Sequence, residues 1–114
     1  MSQIDPAWEI SVQEVKRMMD EKKPILLIDV REKDEHAQCR IDGATLVPLS
    51  ELGGRLSDIQ KLADGRPVVT HCHHGGRSLR AADALRQAGV EGVRSMAGGI
   101  DEWSVAIDPK VARY

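Results

Sequence analysis

A chain of 114 residues, 41% of them hydrophobic, is long enough for one domain spanning residues 1–114, and such a domain buries about 60–70% of its unfolded surface. A formal charge of −2 leaves no basic footprint for nucleic acid, and no apolar run is long enough to cross a bilayer. Neither nucleic acid nor membrane is therefore an expected partner. The polar start at residues 1–6 lacks a cleavable leader pattern. Two cysteines, one of them placed for reactivity, suit a reducing compartment, so the expected location is cytoplasmic.

In chain order, residues 8–10 read as a short first strand. Ser11 stands three residues before Glu14, a capping-box spacing that opens a helix. Val12, Val15, Met18 and Met19 mark its apolar stripe, with Lys16, Arg17 and Asp20 on the wet side. Pro24 closes the connection. The unbroken apolar run at 25–28 predicts a central parallel strand covered on both faces. It ends at Asp29, on the edge where open α/β sheets bind ligands. Asp29 and Arg31 read there as an internal ion pair or loop brace in preference to substrate contacts. Residues 32–38 predict a short helix, with His36 a surface or packing residue. Asp42-Gly43 marks a turn, and 44–47 a short strand stopped by Pro48. Leu52, Leu56, Ile59 and Leu62 trace a helical face, with Ser50 as its cap and Gly53-Gly54 loosening its start. Asp64-Gly65-Arg66 is a turn, and Pro67 opens a strand through Thr70.

The next stretch carries the chemistry. The strand runs into a turn of histidine and glycine, Cys72-His73-His74-Gly75-Gly76, and a helix is predicted to begin near Arg77. A thiol at Cys72 faces the turn's N–H groups and the unpaired N–H groups of the helix's first turn. Together with Arg77 these favour a thiolate and any anion it attacks or carries. A lone cysteine at a strand end is more often a small buried hydrophobe. Gly75 and Gly76, however, permit a tight, amide-lined concavity, and the reading becomes a nucleophilic Cys72. A metal site from His71, Cys72, His73 and His74 is disfavoured, because adjacent side chains diverge and no second Cys/His cluster has structural zinc spacing. Neither a metal nor a cofactor is expected. Arg77 either meets an anionic substrate or buttresses the turn with its side chain directed back towards Asp29. His73 and His74 are expected to be exposed loop side chains that bind an anion when protonated, and not obligate bases.

Beyond the turn, Leu79, Ala81, Ala82 and Leu85 face the sheet and Gly89 caps the helix. Residues 90–94 return a last strand, Gly98-Gly99 turns into a short helix that carries Trp103 into the core, and 108–114 form a strap across the body. Strands alternating with helices through short loops predict a right-handed, mostly parallel α/β sheet.

These motifs, in this order, resemble those of the rhodanese family of sulfurtransferases. The family's active-site pattern is a cysteine, two variable residues, glycine, one variable residue, arginine and often serine. It is met by Cys72-His73-His74-Gly75-Gly76-Arg77-Ser78. Asp29-Val30-Arg31-Glu32 and Gly98-Gly99-Ile100-Asp101-Glu102-Trp103 fit two further family marks. A fourth stands as Cys39-Arg40-Ile41-Asp42-Gly43-Ala44 with Pro48, departing by having Cys39 and Arg40 where glycine and histidine are common. The resemblance implies a rhodanese-like, five-stranded, mostly parallel sheet with helices on both faces. It implies transfer of sulfane sulfur from thiosulfate or a persulfide donor to a thiophilic acceptor, cyanide in vitro, through a Cys72 persulfide. His73, His74, Gly75, Gly76 and Arg77 would bind substrate, with Asp29, Arg31 and Ser78 in support. The implied partners are a small anionic sulfur donor and a sulfur-carrier or persulfide-donor protein. The end of the chain, with Asp108-Pro109 and Arg113-Tyr114, looks like the rhodanese domain fused to E1-like adenylyltransferases of molybdopterin and thiamin biosynthesis.

Two rival readings stand beside this one: a non-catalytic, regulatory binding domain, and a cysteine phosphatase or arsenate reductase. The second class usually has five residues between cysteine and arginine. Here there are four, residues 73 to 76, a poor cradle for a tetrahedral phosphoryl group and a good one for a single sulfur atom. Cys39 is expected to pack and to be dispensable for turnover.

Overall fold

Apolar runs too continuous for exposed strands end in the middle of one sheet. In the computed structural model of the chain, residues 8–22 and 24–114 are described; the polar start at residues 1–6 lies outside them. The elements are β1 (Glu9–Ile10), α1 (Val12–Asp20), β2 (Leu26–Asp29), α2 (Lys33–Gln38), β3 (Thr45–Leu46), a 3-10 segment over Leu49–Gly54, α3 (Leu56–Ala63), β4 (Val68–His71), α4 (Gly76–Gln87), β5 (Arg94–Met96) and α5 (Gly99–Ala106). The strand order is β1-β5-β4-β2-β3, with every pairing parallel. Each crossover between parallel strands needs a covering segment.

Both faces of the sheet are covered, which is why β2 and β4 are buried at all four positions. Alternating side chains of each strand then serve opposite cores. Leu26, Ile28 and Val68 pack with Ile59, Ala82 and Leu85 on the side of α3 and α4. Leu27 and Val69 pack with Val12, Val15, Ile100 and Trp103 on the side of α1 and α5. Fully burying a side chain of this size is worth about 1.5–3 kcal/mol. Helix α1 begins as its spacing predicts: the Ser11 hydroxyl accepts the Glu14 N–H at 3.1 Å, while the Glu14 carboxylate pairs with Arg17.

The structure corrects two stretches. The last strand is Arg94–Met96, not 90–94. Val90 instead closes α4, its N–H reaching the Leu85 carbonyl at 2.9 Å, and Glu91 and Gly92 turn before the strand. The expected helical face at 52–62 is broken, because the 3-10 segment winds at about three residues per turn and the phase restarts at Leu56. Ile59 and Ala63 consequently face inward, while Leu62 is 43% exposed. Ser50 lies inside the 3-10 segment, and Pro48 is at the position that precedes it.

The functional consequence lies in the register. Asp29 pairs with His71 at the ends of β2 and β4, and the Val30 N–H reaches the His71 carbonyl at 2.9 Å. The loop carrying Arg31 and the turn carrying Cys72 therefore leave the same edge of the sheet side by side.

Candidate active site

Cys72 follows β4 directly, and its thiol is held by the turn that leads into α4. The Gly75 N–H points to Sγ at 3.1 Å and the Ser78 N–H at 3.3 Å. The sequence predicts cradle amides from the turn and from the first turn of the helix that follows. Among the described residues, those that reach the sulfur belong to Gly75 and Ser78. Gly75 turns its amide inward through a φ of +118°, a conformation that L side chains rarely adopt. The thiol also donates to the Ser78 hydroxyl at 3.4 Å. That hydroxyl bonds the Gly75 carbonyl at 3.1 Å and the Ser95 hydroxyl of β5 at 2.7 Å. Thr70 fixes the Ser78 carbonyl at 2.8 Å. The sulfur is 1% exposed as part of Cys72.

The carbonyls of the turn point the other way, towards α5. The N–H groups of Ile100 and Asp101, in the first turn of that helix, bond the carbonyls of Cys72 at 2.8 Å and His73 at 3.1 Å. These donors would otherwise lack partners inside the helix. The approach is close enough that a Cβ on Gly99, itself at φ +62°, would fall onto the carbonyls of Cys72 and His73. The Gly98-Gly99 pair thus lets the start of α5 take up the carbonyls and leaves amides for the sulfur.

A ring of charged groups braces the turn. Asp29 and Arg31 are fully buried and form a bidentate pair, Nε to Oδ1 at 2.9 Å and a terminal nitrogen to Oδ2 at 2.7 Å. Burial alone would raise the Asp29 carboxyl, but Arg31, with His71 and His36, holds it below the ordinary carboxylate range. Arg31 also donates to the Cys39 carbonyl at 2.6 Å and the Glu35 carbonyl at 3.2 Å. His36 is more than a packing residue: its Nδ1 lies 2.9 Å from Asp29 Oδ2.

Arg77 does not return to Asp29 as the sequence reading allowed. Its guanidinium grips Glu35 through two bonds of 2.7 and 2.9 Å. That pairing is the largest cause pushing the Glu35 carboxyl down to about 2. Tyr114 joins the two ion pairs: its hydroxyl donates to Glu35 Oε2 at 2.7 Å and accepts from Arg31 at 3.1 Å. Its ring stacks on His73 with centroids 3.9 Å apart, and burial is the first cause raising its hydroxyl to about 12. Neither Glu35 nor Tyr114 was given a part at the site from sequence; Tyr114 was named only with Arg113 in the family-like end of the chain. Glu35 closes a capping box with Glu32 at the start of α2, a local pattern that points to a helix start and not to Arg77, and nothing near Tyr114 signals its contacts.

Of the remaining loop residues, His73 is half-buried, and His74 and Gly76 are exposed. Beneath the site His71 is fully buried with no hydrogen-bond partner at either ring nitrogen. Burial pushes its imidazole down to about 4 against the pull of Asp29. Both cysteines are free thiols, and Cys39 is buried against Arg31, whose nearest nitrogen is 3.7 Å from its sulfur. A cavity of about 570 Å³ beside Cys39, Lys16 and Trp103 is not bordered by residues 72–78.

The rhodanese-like domain family matches residues 11–106, and the chain belongs to that family. It is 32% identical, over 120 aligned positions, to the rhodanese-like/PpiC domain-containing protein 12, chloroplastic, of Arabidopsis thaliana, covering 100% of this chain and 40% of that protein. Over 105 positions it is also 32% identical to the probable adenylyltransferase/sulfurtransferase MoeZ of Mycobacterium tuberculosis, covering 92% of this chain and 26% of that one. The chain thus spans less than half the length of either relative. The structure of the human single-domain sulfurtransferase TSTD1 matches with a TM-score of 0.74 at 30% identity, covering 87% of this chain and 96% of the other. The likeness extends, as the motifs implied, both to a free-standing sulfurtransferase and to an adenylyltransferase fusion. No described helix is long and apolar enough to cross a membrane.

Proposed function

We propose that the protein, as a single rhodanese-like domain over residues 1–114, is a sulfurtransferase of the thiosulfate sulfurtransferase type. It takes sulfane sulfur from thiosulfate or a persulfide donor and passes it to a thiophilic acceptor. The observation that carries this reading is the Cys72 sulfur held by the N–H groups of Gly75 and Ser78, with the turn's carbonyls taken up by α5.

In the first half-reaction the Cys72 thiolate attacks the outer sulfur of thiosulfate. A new S–S bond forms, the S–S bond within thiosulfate breaks, and sulfite leaves with its electron pair. In the second, a nucleophile such as cyanide or an acceptor thiolate attacks the outer sulfur of the persulfide, and Cys72 leaves as thiolate. No external oxidant or reductant is needed. Preorganised amides replace water around the sulfur anion in both halves. Arg77, held by Glu35, contributes positive charge at the rim and fixes the turn, while His73 and His74 face the incoming anion. Asp29, Arg31 and Ser78 hold the frame. The acceptor is a sulfur-carrier or persulfide-handling protein, and a free thiol at Cys72 suits the cytoplasm.

The same geometry disfavours phosphatase chemistry, since the arginine such chemistry would use is committed to a carboxylate. Steady-state thiosulfate:cyanide transfer tests the proposal. Cys72→Ser should abolish thiocyanate formation while Cys39→Ser retains it, and aryl phosphates should be hydrolysed negligibly. Turnover that survives Cys72→Ser, or that collapses in a folded Cys39→Ser variant, contradicts this assignment.

A further inference from the structure

Resting on the sulfur-transfer reading above, we propose that Glu35 is a specificity-determining residue of the cysteine site. By neutralising Arg77 it favours singly charged organic sulfane donors, thiosulfonates and thiol persulfides, over the thiosulfate dianion. The observation is a pairing that occupies both arms of the Arg77 fork. Nη1 bonds Glu35 Oε1 at 2.7 Å and Nη2 bonds Oε2 at 2.9 Å. This is the bidentate face that an arginine would otherwise offer to a donor's oxyanion. The carboxylate is held from its own side as well. Oε1 also accepts the Glu32 N–H at 3.0 Å, and Oε2 accepts the Tyr114 hydroxyl at 2.7 Å. Pairing with Arg77 is the first cause that pushes the Glu35 carboxyl down to about 2. It therefore stays ionised at neutral pH and does not release the guanidinium by taking up a proton.

Charge around the turn is balanced elsewhere too. Arg31 is matched by Asp29 and Arg113 by Asp101, and His74 Nε2 faces the same Asp101 at 3.8 Å. Burial, followed by the neighbouring His74, lowers the His73 value and leaves that ring uncharged at neutral pH. Arg80, the next cation on α4, lies about 4.5 Å further along the helix axis than Arg77. The balance at Arg77 is felt at the sulfur: Glu35 is the first cause raising the guanidinium, and Cys72 is a lesser one.

The amides of Gly75 and Ser78 converge on one sulfur and so serve a single negative charge. Thiosulfate brings a second charge on its sulfonate end. That charge must shed water at a rim where matched arginines return little of its hydration. A thiosulfonate, R–SO₂–S⁻, or a persulfide, R–S–S⁻, presents the same outer sulfur with one charge fewer. The Cys72 thiolate attacks that sulfur, the donor's S–S bond breaks, and a sulfinate or a thiolate leaves with the electron pair. The encounter brings two anions together, where thiosulfate brings an anion and a dianion.

The test compares methanethiosulfonate with thiosulfate, donors that differ by one charge on the leaving group, in transfer to cyanide at fixed ionic strength. Each kcat/KM is divided by that donor's rate with free cysteine, which removes intrinsic reactivity. The parent protein should favour methanethiosulfonate by at least about tenfold. Glu35→Gln keeps the side chain's shape but leaves Arg77 unmatched, and should move the ratio towards thiosulfate by at least about fivefold. The dianion gains about twice the interaction that the monoanion gains, so the ratio reports one unit of charge. Glu35→Gln/Arg77→Gln should restore the parent ratio, and Glu91→Gln, in the turn before β5, should leave it unchanged. A merely loosened turn would slow both donors alike and leave the ratio where it was. A parent preference for thiosulfate overturns the proposal without any variant, so the test stands even where Glu35→Gln does not fold. An unchanged ratio in Glu35→Gln, or a shift that persists in the double variant, overturns the assignment of Glu35 alone. Transfer from neither donor would overturn the sulfur-transfer reading and this proposal with it.

Discussion

Ser78 does more than its place in the motif suggests, because one residue supplies an amide to the sulfur and a hydroxyl that joins the turn to β5. Ser78→Ala keeps the amide but leaves the buried Ser95 hydroxyl without this partner. It is expected to destabilise the protein by about 1–3 kcal/mol, readable as a lower urea midpoint, and to slow sulfur transfer through a looser turn. An unchanged midpoint would show that the hydroxyl pair contributes nothing. Two other residues set the response to acid. The His71 imidazole drops from 6.5 to about 4 on folding, so the unfolded chain takes up its proton first and stability falls as pH drops from 6.5 towards 4. The Glu35 carboxyl drops from 4.5 to about 2; its contribution is complete above 4.5 and is lost as pH falls through 2. Thermal melts of Glu35→Gln should therefore show a weaker pH dependence in the lower window, where the lowered Asp29 carboxyl still contributes, and keep it in the upper one. The opposite pattern would contradict these assignments.

Elements differ in how openly the sequence declared them. β2 and β4 were legible because a parallel strand covered on both faces must be continuously apolar. α1 was legible from a cap and a stripe. β5 was misplaced by several residues, because its apolar signal at Val90 and Val93 belongs to the end of α4 and the turn that follows. The core face at 52–62 was read correctly at Leu52, Leu56 and Ile59 and wrongly at Leu62, because a 3-10 segment reset the phase. At the site, the cysteine, its glycines and Arg77 are local in sequence and were readable. The partner of Arg77 is Glu35, 42 residues away, and Tyr114 is 83 residues from Arg31; no local pattern encodes such pairings. The start of α5 was read as a tight turn, yet it also receives the carbonyls of the cysteine turn. Gly99→Ala should therefore destabilise by more than about 1 kcal/mol and reduce sulfur loading together with stability. A folded, fully active Gly99→Ala protein would show that the close approach is dispensable.

Across the whole molecule, strand order and register bring two loops from one sheet edge together, and Asp29–Arg31 and Glu35–Arg77 clamp them with Tyr114 between. The cradle is thus built by the fold and not by the turn alone, which accounts for amides aimed at a sulfur that is almost fully buried. The central claim is that this sulfur carries the transferred atom. The most direct measurement is intact-mass analysis after incubation with thiosulfate and removal of excess donor, followed by peptide mapping. One added sulfur atom is predicted, located on Cys72, absent in Cys72→Ser and lost again when cyanide is supplied. A mass that never changes, or a sulfur found only on Cys39, would contradict the account.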